Sequence, residues 1–281
     1  RVHPSWSNHN SNASLCCPVS PRLQCPKSTA YNQLEVILGY IEVNFILVHG
    51  GWHGGWAWDE AAARLRASGY TVYAPSLTGL ADRAHLINSV EGPDTHVADI
   101  IQLIEFHDLT DVVLVGHSYG GMIVTGAASH LPDRIRALVY LDAFVPTQSG
   151  MPANRMSNPE RAAEINAASR ADGTIAPTGF ERWVRDPDTI RWLKQKCTPH
   201  PAACLGKGVT LTGGENAETN KTFILCEQHK PSPFWQFYEK YQDDPTWTTT
   251  RLPCLHNAMI EMPDRLVKVI LAATTNETLG D

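Results

Sequence analysis

Unbroken apolar blocks alternate along the chain with stretches that read as helices. Asn44-Phe-Ile-Leu-Val48, Val112-Val-Leu-Val115 and Ile135-Arg-Ala-Leu-Val-Tyr-Leu141 are apolar over nearly the length of a strand. Such runs fit strands buried on both faces, as in a parallel sheet. Gly69 to Ala74, Lys221 to Cys226 and Thr246 to Arg251 read as further strands. Helices are expected over Ala57 to Ala67, Thr95 to His107, Met122 to Ala128, Pro233 to Tyr241 and Pro263 to Ala272; Val97, Ile100, Ile101 and Ile104 form a stripe at helical spacing. This alternation predicts an α/β fold with a mostly parallel, doubly wound sheet. Ligands of such sheets sit at the carboxyl ends of the strands, where His49, Ser118 and Asp142 all fall.

The rhythm fails in two places. Arg1 to Gln33 is rich in Ser, Asn and Pro and has no Asp or Glu. Residues 1–42 are therefore read as an N-terminal extension outside the fold, whether targeting peptide, added extension or disordered tail. Val36 to Ile41 is the one stretch there that reads as a strand. Within the main domain, 43–281, the segment from about 146 to 214 is too long for a loop and is expected to form a helical lid. Its Met151, Met156, Trp183 and Trp192 either line an apolar pocket or pack the lid onto the body.

The chemistry gathers at Gly116-His117-Ser118-Tyr119-Gly120, which fits G-x-S-x-G and lies between a buried strand and a helix. That is the setting of a nucleophile elbow. The turn is so tight that a Cβ at either glycine is expected to strike neighbouring backbone, and the serine is expected to be strained. A serine needs a base, since its hydroxyl is a weak nucleophile at neutral pH. His256, the last of 12 histidines, lies in a loop after the last strand. His229, the other late histidine, follows the wrong strand for that task. Developing negative charge on a substrate oxygen calls for two backbone N–H groups. Tyr119, directly after the serine, is expected to give one, and the His49-Gly50-Gly51-Trp52 turn the other. His53 and Trp56 read as packing.

Composition removes other classes. A 281-residue chain with 43% hydrophobic residues can bury a full core. A net charge of -6 gives no basic excess for nucleic acid or anionic membrane, and no apolar run approaches the roughly 18 residues of a span. The seven cysteines hold no paired C-x-x-C, so neither zinc nor a disulfide framework is indicated.

Several stretches together resemble α/β-hydrolases of the branch that holds plant methylesterases, hydroxynitrile lyases and bacterial pyrethroid- and carbamate-hydrolysing esterases. They are Phe45 to Trp56, Pro75-Ser-Leu-Thr-Gly-Leu80, Gly116 to Gly121, Leu141-Asp-Ala-Phe-Val-Pro146 and His256-Asn-Ala-Met259. The resemblance implies a cofactor-free serine hydrolase without a metal, with Ser118 as nucleophile, His256 as base and Gly51 beside Tyr119 in the oxyanion hole. The expected substrate is a small hydrophobic ester or carbamate cleaved through an acyl-serine. A homodimer stays open, and the cytoplasm is the expected location. Lyases of this branch add a threonine and a lysine where this chain has Gly50 and Asn257, so a lyase is the minor reading; a slow-turnover receptor is another. Exchanging both residues for the lyase pair is expected to spare the fold and slow ester hydrolysis. The third triad member departs from the plant pattern, because no aspartate appears between Cys226 and Pro233. Asp142 and Glu227 remain as the two carboxylates, with Asp142 favoured and a purely structural role for it still open.

Overall fold

The computed structural model describes residues 43–216 and 219–275. The extension and its candidate strand, Val36 to Ile41, lie outside these residues. Six strands form one sheet: β1 (Asn44–Val48), β2 (Thr71–Tyr73), β3 (Val112–His117), β4 (Ile135–Leu141), β7 (Asn220–Cys226) and β8 (Trp247–Leu252), in spatial order β2-β1-β3-β4-β7-β8. Every pairing is parallel. The two remaining strands among the described residues, β5 (Thr174–Ile175) and β6 (His200–Pro201), make a small antiparallel pair in the chain between β4 and β7.

Among the described residues ten α-helices accompany them: α1 (Asp59–Ala67), α2 (Pro93–Phe106), α3 (Gly120–His130), α4 (Ala153–Met156), α5 (Pro159–Ala167), α6 (Pro187–Lys196), α7 (Ala202–Gly206), α8 (Trp235–Tyr241), α9 (Ala258–Glu261) and α10 (Pro263–Thr275). The apolar strands feed two cores by turns, because successive side chains point to opposite faces. Ile46, Val48, Leu114, Leu138 and Tyr140 pack on α2, α3 and α8, while Phe45, Leu47, Val113, Val115, Val139 and Leu141 pack on α1, α9 and α10. The expected elements agree in kind with those observed; their ends move by a few residues. The helix from 57, for example, opens as a 3₁₀ turn over Gly55–Trp58 before α1 begins.

The register of β4 on β3 carries one irregularity. Val112 faces Ile135 but Val113 faces Ala137, so Arg136 is an extra residue, and from there pairing runs in step to His117 opposite Leu141. The next residues on the two strands are Ser118 and Asp142.

The chain between β4 and β7 holds α4 to α7 and the small sheet. Trp183 lies against the cavity described below. Trp192 instead meets Trp56 edge to face at 4.9 Å, and Met156 packs against the core.

Candidate active site

The elbow forms as its glycines predict. A Cβ on Gly116 would lie 2.7 Å from the Gly120 carbonyl oxygen, and one on Gly120 would lie 2.6 Å from that of Val48. Ser118 has φ 54°, in the left-handed region that a side chain rarely occupies, and its neighbour across the sheet, Asp142, has φ 42°. Both turns are held by backbone bonds: the Ser118 N–H donates to Leu141 O (3.1 Å), the Phe144 N–H to Ser118 O (3.1 Å) and the Asp142 N–H to Ile224 O (2.7 Å).

Asp142 is fully buried and is the meeting point of two imidazoles. His256 Nδ1 donates to Oδ2 at 2.6 Å, and His229 Nδ1 donates to the same oxygen at 2.7 Å. Oδ1 accepts from the Cys226 N–H at 3.3 Å. A carboxylate at Nδ1 makes that nitrogen the protonated one in His256 and leaves Nε2 as a proton acceptor. The His256 ring stacks on Phe234 at 9° between planes, and its carbonyl accepts from His117 Nε2 at 3.0 Å. Burial, with His229, His53 and the arginines Arg161 and Arg182 adding to it, holds the His256 pKa well below 6.5, so the resting ring is neutral. Glu227 lies elsewhere: its carboxylate faces Arg251 at 3.9 Å. Asp142, His229 and His256 are also the one group with metal-capable donor atoms together among the described residues, within 4.8 Å of one another. Both nitrogens close on one carboxylate oxygen at hydrogen-bond distance, which is the geometry of shared protons.

The Gly50-Gly51 turn is fixed from behind by two histidines. His49 Nδ1 donates to Gly50 O (2.8 Å) and its Nε2 accepts from the Leu77 N–H (3.0 Å); His53 Nδ1 donates to Gly51 O (2.8 Å) and its Nε2 accepts from Asn257 Nδ2 (3.0 Å). Burial drops these rings to about 3 and about 4, so both stay neutral. With the carbonyls tied back, the N–H groups of Gly51 and Tyr119 have no acceptor among the described residues. Both residues line one cavity with Ser118, His256 and His229. Apolar walls come from Phe144, Ile165, Trp183, Leu205 and Phe234.

One sequence expectation changes here: His53, read as packing, bonds to the Gly51 carbonyl and clamps the Gly50-Gly51 turn. The lyase-type exchange meets a crowded place: a Cβ at Gly50 would stand 2.8 Å from His117 Nδ1 and 2.9 Å from Ser118 Cβ, so these side chains must shift to admit it. Lysine at 257 would also lose the bond to His53. Sequence reasoning missed His229 as a partner of Asp142, since 87 residues separate the two.

Comparison with known proteins fits this geometry. The family described as the alpha/beta hydrolase family matches residues 45–272, and the chain belongs to it. A carbendazim hydrolyzing esterase of Nocardioides sp. is 37% identical over 238 residues, which cover 82% of this chain and 98% of that protein. An alpha-hydroxynitrile lyase of Arabidopsis thaliana is 32% identical over 112 residues, but these cover only 40% of this chain and 43% of the lyase. Among solved structures, an extracellular alpha/beta-hydrolase from a Paenibacillus species superposes with a TM-score of 0.73 at 23% identity, covering 82% of this chain and 98% of that one. The chain is thus an enzyme of the hydrolase class, and the relative matched over 98% of its own length is named an esterase. No helix among the described residues is long and apolar enough to cross a membrane.

Proposed function

We propose that the chain is a serine hydrolase that cleaves a small hydrophobic carboxylic ester or carbamate through an acyl-serine intermediate. The observation that carries this reading is the buried Asp142–His256 contact of 2.6 Å, with His256 lining the cavity that also holds Ser118 and the two unpaired amides of Gly51 and Tyr119. In this mechanism His256 Nε2 takes the proton as Ser118 Oγ attacks the carbonyl carbon. Asp142 holds the ring in the right tautomer and balances the imidazolium. The Gly51 and Tyr119 N–H groups receive the oxyanion, each at about 3 kcal/mol. His256 then hands its proton to the leaving alcohol, and a water activated by the same ring frees the acid. Apolar walls favour a hydrophobic acyl or alcohol part. The relative named for hydrolysing carbendazim and the pyrethroid hydrolase of Sphingobium faniae, 23% identical with a TM-score of 0.60, are in keeping with such a substrate.

The test is chemical. A fluorophosphonate should label Ser118 alone, and His256→Ala should suppress the labelling. Ser118→Ala should lose about 10⁴–10⁶ in turnover of a short-chain p-nitrophenyl ester while melting as the native protein does. A label on another serine, or substantial activity left in Ser118→Ala, defeats the assignment. The lyase reading finds no support at position 50, which has no side chain, or at 257, where the asparagine is bound to His53.

A further inference from the structure

The apolar cavity has one region of a different character. Arg161 and Arg182 line it together with Glu164. Glu164 is fully engaged by Arg182, which donates from Nη1 to Oε1 at 2.7 Å and from Nη2 to Oε2 at 2.5 Å. These bonds, with Arg161 adding to them, hold the Glu164 carboxyl below its usual range. Arg161 donates only from Nη1, to Glu164 Oε2 at 2.9 Å and, at 3.5 Å, to Thr178 Oγ1. Two guanidiniums therefore share one carboxylate, leaving a surplus positive charge. Glu160, the other carboxylate of the wall, is exposed and bonds to neither arginine.

The Arg161 side chain is only 18% exposed, yet its Nε and Nη2 have no acceptor among the described residues and are not sealed off. Those two N–H groups form the side-on edge of the guanidinium, a fork that matches a carboxylate. Arg64 uses the same edge on Asp264, through Nε at 2.6 Å and Nη2 at 3.4 Å. The fork is also held in place. Arg161 stands in the first turn of α5, where its N–H donates to Asn158 Oδ1 at 2.8 Å, and its guanidinium lies over the Trp52 ring at 5.3 Å. Trp52 follows Gly51 and is pinned in turn: its Nε1 donates to Ile175 O at 2.9 Å and its carbonyl accepts from the Thr198 N–H at 3.0 Å.

We propose that Arg161 is a specificity-determining residue whose side-on fork receives a carboxylate carried by the substrate at the end remote from the scissile ester. The substrate class is then a hydrophobic ester with an anionic tail, such as a monoester of a dicarboxylic acid. This rests on the serine-esterase reading above. A partly desolvated guanidinium with open donors is costly until an acceptor meets them. A bound carboxylate also offsets a cation that disfavours the imidazolium at His256, so the gain should appear in kcat as well as in KM.

The test uses matched pairs: monomethyl esters of the six- to ten-carbon dicarboxylic acids against methyl esters of monoacids of the same length, with methanol release as the signal. At one chain length the native enzyme should favour the carboxylated member. In R161Q the ratio of the two kcat/KM values should fall about 10- to 100-fold. R161K keeps the charge but loses the fork, and should lower the ratio severalfold; it also serves if R161Q does not fold. Native enzyme without a carboxylate preference at any length, an equal loss on both members in R161Q, or an undiminished ratio in R161K overturns the proposal. Failure of the underlying reading looks different: no neutral ester is cleaved and fluorophosphonate leaves Ser118 unlabelled.

Discussion

The cavity has two walls of unlike construction. On one side stand strand ends: Ser118 after β3 and the Gly50-Gly51 turn after β1, with Asp142 after β4 buried against His256, each fixed by backbone hydrogen bonds or buried histidines. On the other stand side chains from the chain between β4 and β7, among them Arg161, Ile165 and Trp183 on short helices and turns. The first wall is shaped by the register of a parallel sheet, which sets where its groups stand relative to one another. The second is shaped by side-chain packing, which tolerates exchange and suits the choice of substrate. Changes on the sheet wall should therefore strike kcat, and changes to the apolar side chains of the opposite wall should strike KM and selectivity; Arg161, whose charge reaches His256, acts on both.

The largest effect that sharpens this division is at the acid. Asp142→Asn should cut kcat by up to about 10⁴, the scale seen when the corresponding aspartate of a serine protease is lost, while Glu227→Gln should cost only a few-fold. Steady-state kinetics of the pair decides it; the reverse ranking moves the acid to Glu227. Acid pH should act next. His49 and His53 take protons near 6.5 in the unfolded chain but only at about 3 and about 4 in the fold. The unfolded state thus binds more protons as pH drops below 6.5, and stability present above that value is lost on the way down, by about 1.4 kcal/mol per pH unit for each ring. Denaturant midpoints that stay flat between pH 6.5 and pH 4.5 would contradict the burial of these neutral rings. The smallest effect belongs to the opposite wall. Ile165→Ala should raise KM for an apolar ester by up to about tenfold with kcat little changed. A fall in kcat of the same size would erase the proposed distinction between the walls.

The same division decides what could be read from sequence. The strands announce themselves because parallel strands are apolar throughout. The glycines at 116 and 120 announce the elbow because nothing larger fits there. Those signals are local, and they place Ser118 and Asp142 at neighbouring strand ends. His229 and Arg161 carry no local signal. His229 matters through a carboxylate 87 residues away, and Arg161 through the Trp52 ring and the atoms it leaves unpaired. Such partnerships follow no period along the chain. His53 was legible as a position but not as a clamp, since its acceptor is a backbone carbonyl of the very turn that contains it.

The extra residue at Arg136 has a consequence for how this gene can change. It sits at the far end of β4 from the site, about 20 Å away at the rise of a strand, yet it decides that Asp142 and not its neighbour comes level with Ser118. Insertions before the bulge, in the turn after α3, can be absorbed without moving Asp142. Between Arg136 and Asp142 no residue can be gained or lost, because a one-residue slip turns every side chain to the other face. A hydrolase of this design can thus lengthen its loops freely over generations while one short count of residues is locked, and that count is kept by an irregularity remote from the chemistry it protects.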